Sequence, residues 1–483
     1  MGNRILLLML IVTSRCGLVG AGEPVRVGFA ETDITPPGGF PMAGYYHERL
    51  AEGVVDPLKA KAIVFRGESE QAALVVCDLI GISIDLSTQI RADAAERTGI
   101  PASNIVVAAT HSHTAPDYMK ELYLVLAGRP GEASRANYID QLIHHSADAI
   151  VAAHTNAGPV QLLAGTARQE TPVSFNRRFV MRDGSARTWA SYASPDVVRA
   201  AGPIDPEIGM LLVKDAGGEP VGLLSSFALH LDTVGGMKWS ADYPFFVAQQ
   251  VTGALGADVV SVFAAGTCGD INHVDPNASE RNKTDFIGNA LGETIVAGLD
   301  NLRPLQQTSL RVRSRTVHLP LQVPAADELE DAATKIRAVQ RGESLDFYEH
   351  VTAYKRLILD RLLHEPPVID SEELITWGLN HQWAGVGDSL PVEVHAICLG
   401  DEFAIVCLPG EVFVDLGLAI KRASPFRTTL VIELSNAVET IYIPTRAAHA
   451  QGSYEVTNAA TAPGSGEMLV EAAIGLLREA ASD

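Results

Sequence analysis

Ile105-Val106-Val107-Ala108-Ala109-Thr110-His111-Ser112-His113-Thr114-Ala115-Pro116 decides how the chain is read. Its first five residues are apolar and partly β-branched, which marks a buried strand, and the polar residues and proline after them mark its end. The two histidines therefore stand where a strand stops. Side chains two apart on an extended segment point to one side, so His111 and His113 can face a common cavity, and neutral imidazole is the commonest metal ligand. The alternative is a pair of loop histidines in a hydrogen-bonded turn.

The same geometry recurs elsewhere. Gly222 to Leu229 is an apolar run that ends in Ala228-Leu229-His230-Leu231-Asp232, and Phe403 to Leu408 runs into Pro409-Gly410-Glu411. A second histidine and a carboxylate thus sit at two further strand ends. Nitrogen and carboxylate donors from separate strands favour a metal site over an isolated core histidine.

Between these points strands and helices alternate. Val25 to Ala30 reads as a first strand, and Asp33-Ile34-Thr35-Pro36-Pro37 leaves it in a rigid turn because two prolines cannot continue a ladder. Met42-Ala43-Gly44-Tyr45-Tyr46 is a loop that could line a cleft. Strands are expected at 60–65, 72–77, 160–165, 209–213, 259–264, 392–399 and 429–434, and helices at 85–97, 133–153, 242–254, 284–301 and 468–479. Residues 308–323 alternate like an exposed strand, and 325–365 form a charged helical insertion. Adjacent His144 and His145 on one helix point about 100° apart and read as surface or packing residues. Arg177-Arg178 suggests an anionic or carbonyl-bearing ligand or, more commonly, a solvated edge. Gly266-Thr267-Cys268-Gly269-Asp270-Ile271-Asn272-His273 is a loop whose backbone can approach a ligand closely. The expected fold is α/β, with mixed sheets and helices in layers.

Composition narrows the function. At 483 residues the chain can bury a large core, and 47% hydrophobic with 20% charged residues excludes a fibrous repeat or long disordered tracts. A net charge of −21 leaves no basic face for nucleic acid. Asn3-Arg4, the apolar run Ile5 to Val12 and the small residues Val19-Gly20-Ala21 read as a secretory signal over residues 1–21. The expectation is export to periplasm or medium of one domain, residues 22–483, with no transmembrane helix after signal removal. Arg15 before Cys16 argues against a lipid anchor. Cys77, Cys268, Cys398 and Cys407 imply no disulfide framework. Cys398 and Cys407 lie on one hairpin and read as buried thiols, a single bridge being the alternative.

With these residues collected, the chain resembles the neutral, non-lysosomal ceramidase family of zinc amidases. The matches run in order from Gly28-Phe29-Ala30-Glu31-Thr32-Asp33-Ile34-Thr35 through Thr110-His111-Ser112-His113, Asn176-Arg177, His230, Gly269-Asp270 and Pro409-Gly410-Glu411 to Tyr442, Tyr454 and the last helix. The resemblance implies the fold of that catalytic domain, without a trailing immunoglobulin-like domain. It implies one zinc held by His111, His230, Glu411 and Tyr442, with His113, Arg177 and Tyr454 facing the substrate; Asn272, together with Arg177, is expected to orient that substrate. His113 is then the group for proton transfer to the leaving amine. The chain departs from the family where a substrate would be chosen. Asn272 replaces a serine, Thr114-Ala115-Pro116 replaces Ser-Gly-Pro, and Leu231-Asp232-Thr233 replaces Gly-Thr-Ser.

The expected activity is that of a zinc hydrolase cleaving the N-acyl bond of ceramide or another N-acylated amine by zinc-activated water. Its rivals are the same fold acting on an ester or N-acyl sugar, an amidohydrolase-type barrel, and a catalytically silent binding protein. The barrel fits poorly, since its His-X-His opens the chain whereas strands precede this one.

Overall fold

The computed structural model describes residues 25–45, 49–119, 132–278, 280–371 and 383–482, so the signal segment, Cys16 and Tyr46 lie outside it. In chain order the first half contains β1 (Arg26–Asp33), β2 (Lys59–Arg66), β3 (Gln71–Cys77), α1 (Ile84–Thr98), β4 (Ile105–Ala109), α2 (Glu132–Asn156), β5 (Gly158–Arg168), β6 (Glu207–Asp215), β7 (Pro220–Phe227), α3 (Tyr243–Leu255), β8 (Val260–Ala265) and α4 (Thr284–Gly298). The second half contains β9 (Leu310–Pro320), α5 (Ala326–Gln340), α6 (Phe347–Leu363), β10 (Ser389–Leu399), β11 (Phe403–Cys407), α7 (Val414–Ala423), β12 (Thr428–Ile432), α8 (Arg446–Gln451), α9 (Tyr454–Asn458) and α10 (Ser465–Ser482).

Two sheets follow. The larger runs β8-β7-β6-β5-β1-β2-β3-β4, and the smaller runs β9-β10-β11-β12. Their facing sides share one core that mixes Phe29, Phe65, Leu74, Val106 and Leu224 with Ile397, Phe403, Ile405 and Ile432. On the outside, α1 and α2 cover the β1–β4 half of the large sheet, α3 and α4 cover β6–β8, and α5, α6 and α10 cover the small sheet. The architecture is helices, sheet, sheet, helices. It explains why so many strands read as unbroken apolar runs, because a strand covered on both faces has no polar side to show.

Within these two sheets most neighbouring strands are antiparallel, but three pairs are parallel: β3 with β4, β7 with β8, and β11 with β12. A helix lies between the members of each, respectively α1, α3 and α7, as a parallel crossover requires. α1 shows how sequence sets such a helix: Ser83 caps its start by accepting from Leu86 N, and Gly99, at φ 75°, ends it in the left-handed region.

The carboxyl ends of the three parallel pairs meet. Ala109 N donates to Leu434 O at 3.2 Å, Asn436 N to Val107 O at 2.8 Å and Glu433 N to Ala265 O at 3.1 Å. These bonds stitch the segment after β12 in the small sheet to the ends of β4 and β8 in the large one. Ligand sites in parallel sheets form outside such ends.

Some expectations change. The alternating stretch at 308–323 is an edge strand, yet Leu310, Val312, Val317 and Leu319 are buried. The helical insertion is part of the core, since Leu329, Ile336, Leu357 and Leu362 pack on the small sheet. Cys398 lies opposite Ala404 and Cys407 opposite His395, on opposite faces of the sheet, so both remain free thiols.

Candidate metal centre

His111 follows β4 by two residues, His230 follows β7 by three and Glu411 follows β11 by four, so each parallel pair delivers one donor. His111 and His113 do meet, but strand alternation is not the cause. The backbone at His111 turns into the left-handed region at φ 81°, a conformation that costs on the order of 1–3 kcal/mol in a non-glycine residue. His111 N is held there by Leu79 O at 2.9 Å.

Three imidazoles result, all with one tautomer. The Nδ1 of His111 lies 2.6 Å from Ile80 O, that of His230 3.0 Å from Cys268 O and that of His113 3.2 Å from Gly44 O. A carbonyl only accepts, so each Nδ1 carries the proton and each Nε2 presents a lone pair. Those lone pairs converge: Nε2 of His111 is 3.0 Å from Nε2 of His230 and 3.4 Å from Nε2 of His113. Glu411 Oε2 lies 3.3 Å from the Nε2 atoms of both His111 and His230. It is buried and accepts no hydrogen bond among the described residues.

Four electron-rich atoms facing one point repel one another unless a cation sits among them. Metal–nitrogen bonds of 2.0–2.1 Å in a tetrahedron place ligand atoms about 3.3 Å apart, and the separations here bracket that value. The donor set fits a zinc-like ion.

The charges agree. Burial raises the Glu411 carboxyl, but His111 and His230 outweigh it and hold the group well below the carboxylate range. Burial, with help from neighbouring charges, lowers His113 to about 3 and His230 to about 4, so both imidazoles are neutral at neutral pH. His111 goes the other way: burial lowers it, and Glu411 more than restores it. A proton there occupies the position a metal ion would displace.

Around this centre the other candidates take unequal places. Tyr442 pairs with Glu411 across a short parallel bridge, and its Oη accepts from Arg177 Nη2 at 3.0 Å. Arg177 also donates to Glu455 Oε1 at 2.8 Å and Gly269 O at 2.8 Å. The solvated-edge reading of the arginine pair is thus corrected: Arg177 is 3% and Arg178 1% exposed, because Glu455 supplies their counter-charge. Asn272 is buried opposite Phe175 on a short antiparallel bridge, and its side-chain carbonyl accepts from Val274 N at 3.2 Å. Tyr454 lies 5.7 Å from Tyr442, ring to ring.

Two glycines are needed for close approach. A Cβ on Gly269 would sit 2.5 Å from Glu411 O, so this loop approaches the ligand-bearing backbone. Gly44, at φ +100°, leaves room for the His113 ring.

Glu433 and Glu455 were not foreseen. Glu433 accepts from Val412 N at 2.6 Å, Cys268 N at 3.1 Å and Cys268 Sγ at 3.0 Å, tying together the segments that carry Glu411 and His230. The strand-end rule that singles out His230 applies equally to Ile432-Glu433. Glu455 had no comparable signal.

Residues 25–238 match the profile of a family described as neutral/alkaline non-lysosomal ceramidase, N-terminal. These residues are similar to the neutral ceramidase family, and the match covers less than half of the chain. The ceramidase match includes His111, His113, Arg177 and His230, whereas Asn272, Glu411, Tyr442 and Tyr454 lie beyond it. Among solved structures, the neutral ceramidase from Pseudomonas aeruginosa aligns over 94% of this chain and 75% of its own, at 19% identity and TM-score 0.68. A ceramidase complexed with C2 aligns over 95% and 76%, at 20% identity and TM-score 0.69. At these identities the likeness shows a shared ceramidase fold. No curated protein matches the chain. Family and fold together support a hydrolase of the ceramidase kind.

Proposed function

We propose that the chain is an exported, zinc-dependent amidohydrolase that cleaves the N-acyl bond of ceramide or of another N-acylated amine. One observation carries the reading: three Nε2 lone pairs and the unpartnered Glu411 oxygen face one point, with every Nδ1 already bonded to a carbonyl. The family of residues 25–238 supplies the reaction class. When bound, zinc supplies a Lewis acid that polarises a carbonyl and lowers the pKa of water.

The chain's own groups do the rest. Arg177, fixed by Glu455 and Gly269, holds the Tyr442 hydroxyl beside Glu411 and brings positive charge toward the place where a carbonyl oxygen becomes anionic. His113 is the least buried of the three imidazoles and is oriented by Gly44. Being neutral at rest, it accepts a proton before passing it to the departing amine. Asn272 and Tyr454 line the side on which the substrate lies. Removal of a signal at residues 1–21 would put the enzyme in the periplasm or medium, and no described helix is long and apolar enough to cross a membrane.

The test is elemental mass spectrometry of the purified protein together with turnover on an N-acyl series beginning with ceramides. One zinc per chain is expected, lost in His230→Ala. Turnover in Glu411→Ala should fall by about a thousandfold, the scale on which removal of a transition-state stabiliser acts. Full activity without metal, or wild-type turnover in either variant, overturns the proposal.

A further inference from the structure

Beside the metal centre lies a carboxylate that none of its imidazoles uses. Asp232 stands two residues after His230 on the segment that leaves β7, and His273 ends the loop that leaves β8, so two neighbouring parallel strands deliver the pair. His273 is buried, and its Nδ1 lies 3.0 Å from Asp232 Oδ1. A carboxylate only accepts, so the ring donates and holds one oxygen in place. The other, Oδ2, accepts no hydrogen bond among the described residues, and the side chain keeps 24% of its surface open. His113 N donates to Leu231 O at 3.1 Å, which ties this segment to the imidazole assigned to the leaving amine. Asp232 is close enough for its charge to act on His113 and Arg177.

The loop is built to keep the carboxylate there. Thr233 N and Val234 N donate to Asp242 Oδ2 at 3.0 and 3.1 Å, and the Thr233 hydroxyl donates to Asp242 Oδ1. Asp242 takes φ 62° at the start of α3, which is uncommon for a residue other than glycine. The usual structural employment of such an acid is already filled. Metal-binding imidazoles are often oriented by a carboxylate, yet here each Nδ1 bonds a carbonyl. Nor does Asp232 join the cluster of His111, His113 and His230 as a further ligand. Its open oxygen is left for a donor that the substrate brings, in a segment where the chain departs from the ceramidase motifs.

We propose that Asp232, steadied by His273, is a specificity-determining residue that receives an ammonium group on the amine half of the substrate, so that the site favours N-acylated diamines over N-acylated alkylamines and amino alcohols. An alkyl end offers the carboxylate nothing and a hydroxyl offers one neutral donor. An ammonium offers a hydrogen bond between two charges, about twice as strong. Arg177 does not compete for the acid, being committed to Glu455, Gly269 O and the Tyr442 hydroxyl. The net charge of −21 draws cations toward the protein as a whole. This assignment rests on the amide-hydrolase reading for the bond that is cut.

The test separates the two. Uncleavable ketones, with CH2 in place of the scissile NH, are titrated calorimetrically into the zinc-loaded protein, each ending in ammonium, hydroxyl or methyl after two to four methylenes. At the best length the ammonium form should bind about twentyfold more tightly than the methyl form and about fivefold more tightly than the hydroxyl form, the scale of a hydrogen bond to a charged group. Asp232→Asn keeps an oxygen for His273 and removes the charge, so the ammonium-to-methyl ratio should fall below about threefold. His273→Leu leaves the carboxylate unheld and should bring the ratio below about tenfold. Zinc content is measured for each variant. No ammonium preference at any length in the wild type overturns the proposal, as does an unchanged ratio in either variant that retains zinc. Hydrolysis of the matching N-dodecanoyl amides is measured in parallel. Failure to cleave any of them sinks the amidase reading while the titrations still judge Asp232; cleavage without an ammonium preference in binding does the reverse.

Discussion

At Glu433 a carboxyl lies wholly inside the protein, and burial pushes it up to about 8 against the pull of its Cys268 contact and of His111. The unfolded chain would give this group an ordinary carboxylate pKa. Between pH 6.5 and 8 the folded state therefore holds a proton that the unfolded state has lost. Stability is full below the unfolded pKa and declines as pH rises through the folded one, by at most about 1.4 kcal/mol per pH unit for one group. Glu433→Gln keeps an oxygen for the Val412 and Cys268 amides and removes the titration. Urea melts at constant metal concentration should then lose this part of their downward slope between pH 6.5 and 8; an unchanged slope would mean that Glu433 does not titrate there. The residue was within reach of sequence reasoning, since it follows an apolar strand as His230 does, but a carboxylate after a strand is too common to stand out without its partners.

Helix α9 is five residues long, yet it carries both Tyr454 and Glu455. Glu455 is the counter-charge for Arg177 and Arg178 and also accepts from Thr188. Lys355 of α6 anchors the far end of α9 by donating to Asn458 O at 2.7 Å. Thus the helical segment expected to be an insertion braces the element that positions the site. Breaking a buried ion pair on one side leaves an uncompensated charge and costs about 3–5 kcal/mol. Glu455→Gln should destabilise the protein by that order and weaken substrate turnover through misplaced Arg177, which chemical denaturation and kinetics on one preparation would check. A change below about 1 kcal/mol, the level of an exposed pair, would contradict the buried network. In the sequence, Arg177-Arg178 looked like a solvated edge because the acid that pairs with Arg177 is 278 residues away.

Three strand–helix–strand units place their carboxyl ends at one point, and the donors there come from both sheets. A metal bound by His111, His230 and Glu411 therefore links the two sheets as well as serving chemistry. A ligand that binds only the folded state stabilises it by about 4 kcal/mol when its free concentration is a thousand times Kd. Chelation should lower the Tm by several degrees, with recovery on adding zinc, and scanning calorimetry with and without chelator measures it. Equal Tm values would mean that the imidazoles do not hold a metal tightly. The His111 shift adds a sign to this: Glu411 holds the His111 imidazole above its ordinary range and protons compete for the same nitrogen, so metal affinity should weaken as pH falls.

Much of this was written locally. Apolar runs with polar stops gave strand positions, Ser83 and Gly99 bounded α1, and the histidine–serine–histidine stretch named the centre, because periodicity and capping depend on neighbours in the chain. The layered α/β class and the ceramidase fold were legible for the same reason, as ordered motifs survive where overall identity is near 20%. What the chain could not state is which distant residues meet. That His113 joins His111 and His230, that Arg177 is buried on Glu455, and that Cys398 and Cys407 lie on opposite faces follow from packing two sheets face to face. Those contacts exist only once burial of the shared core has brought separate strand ends together, and no local pattern carries that information.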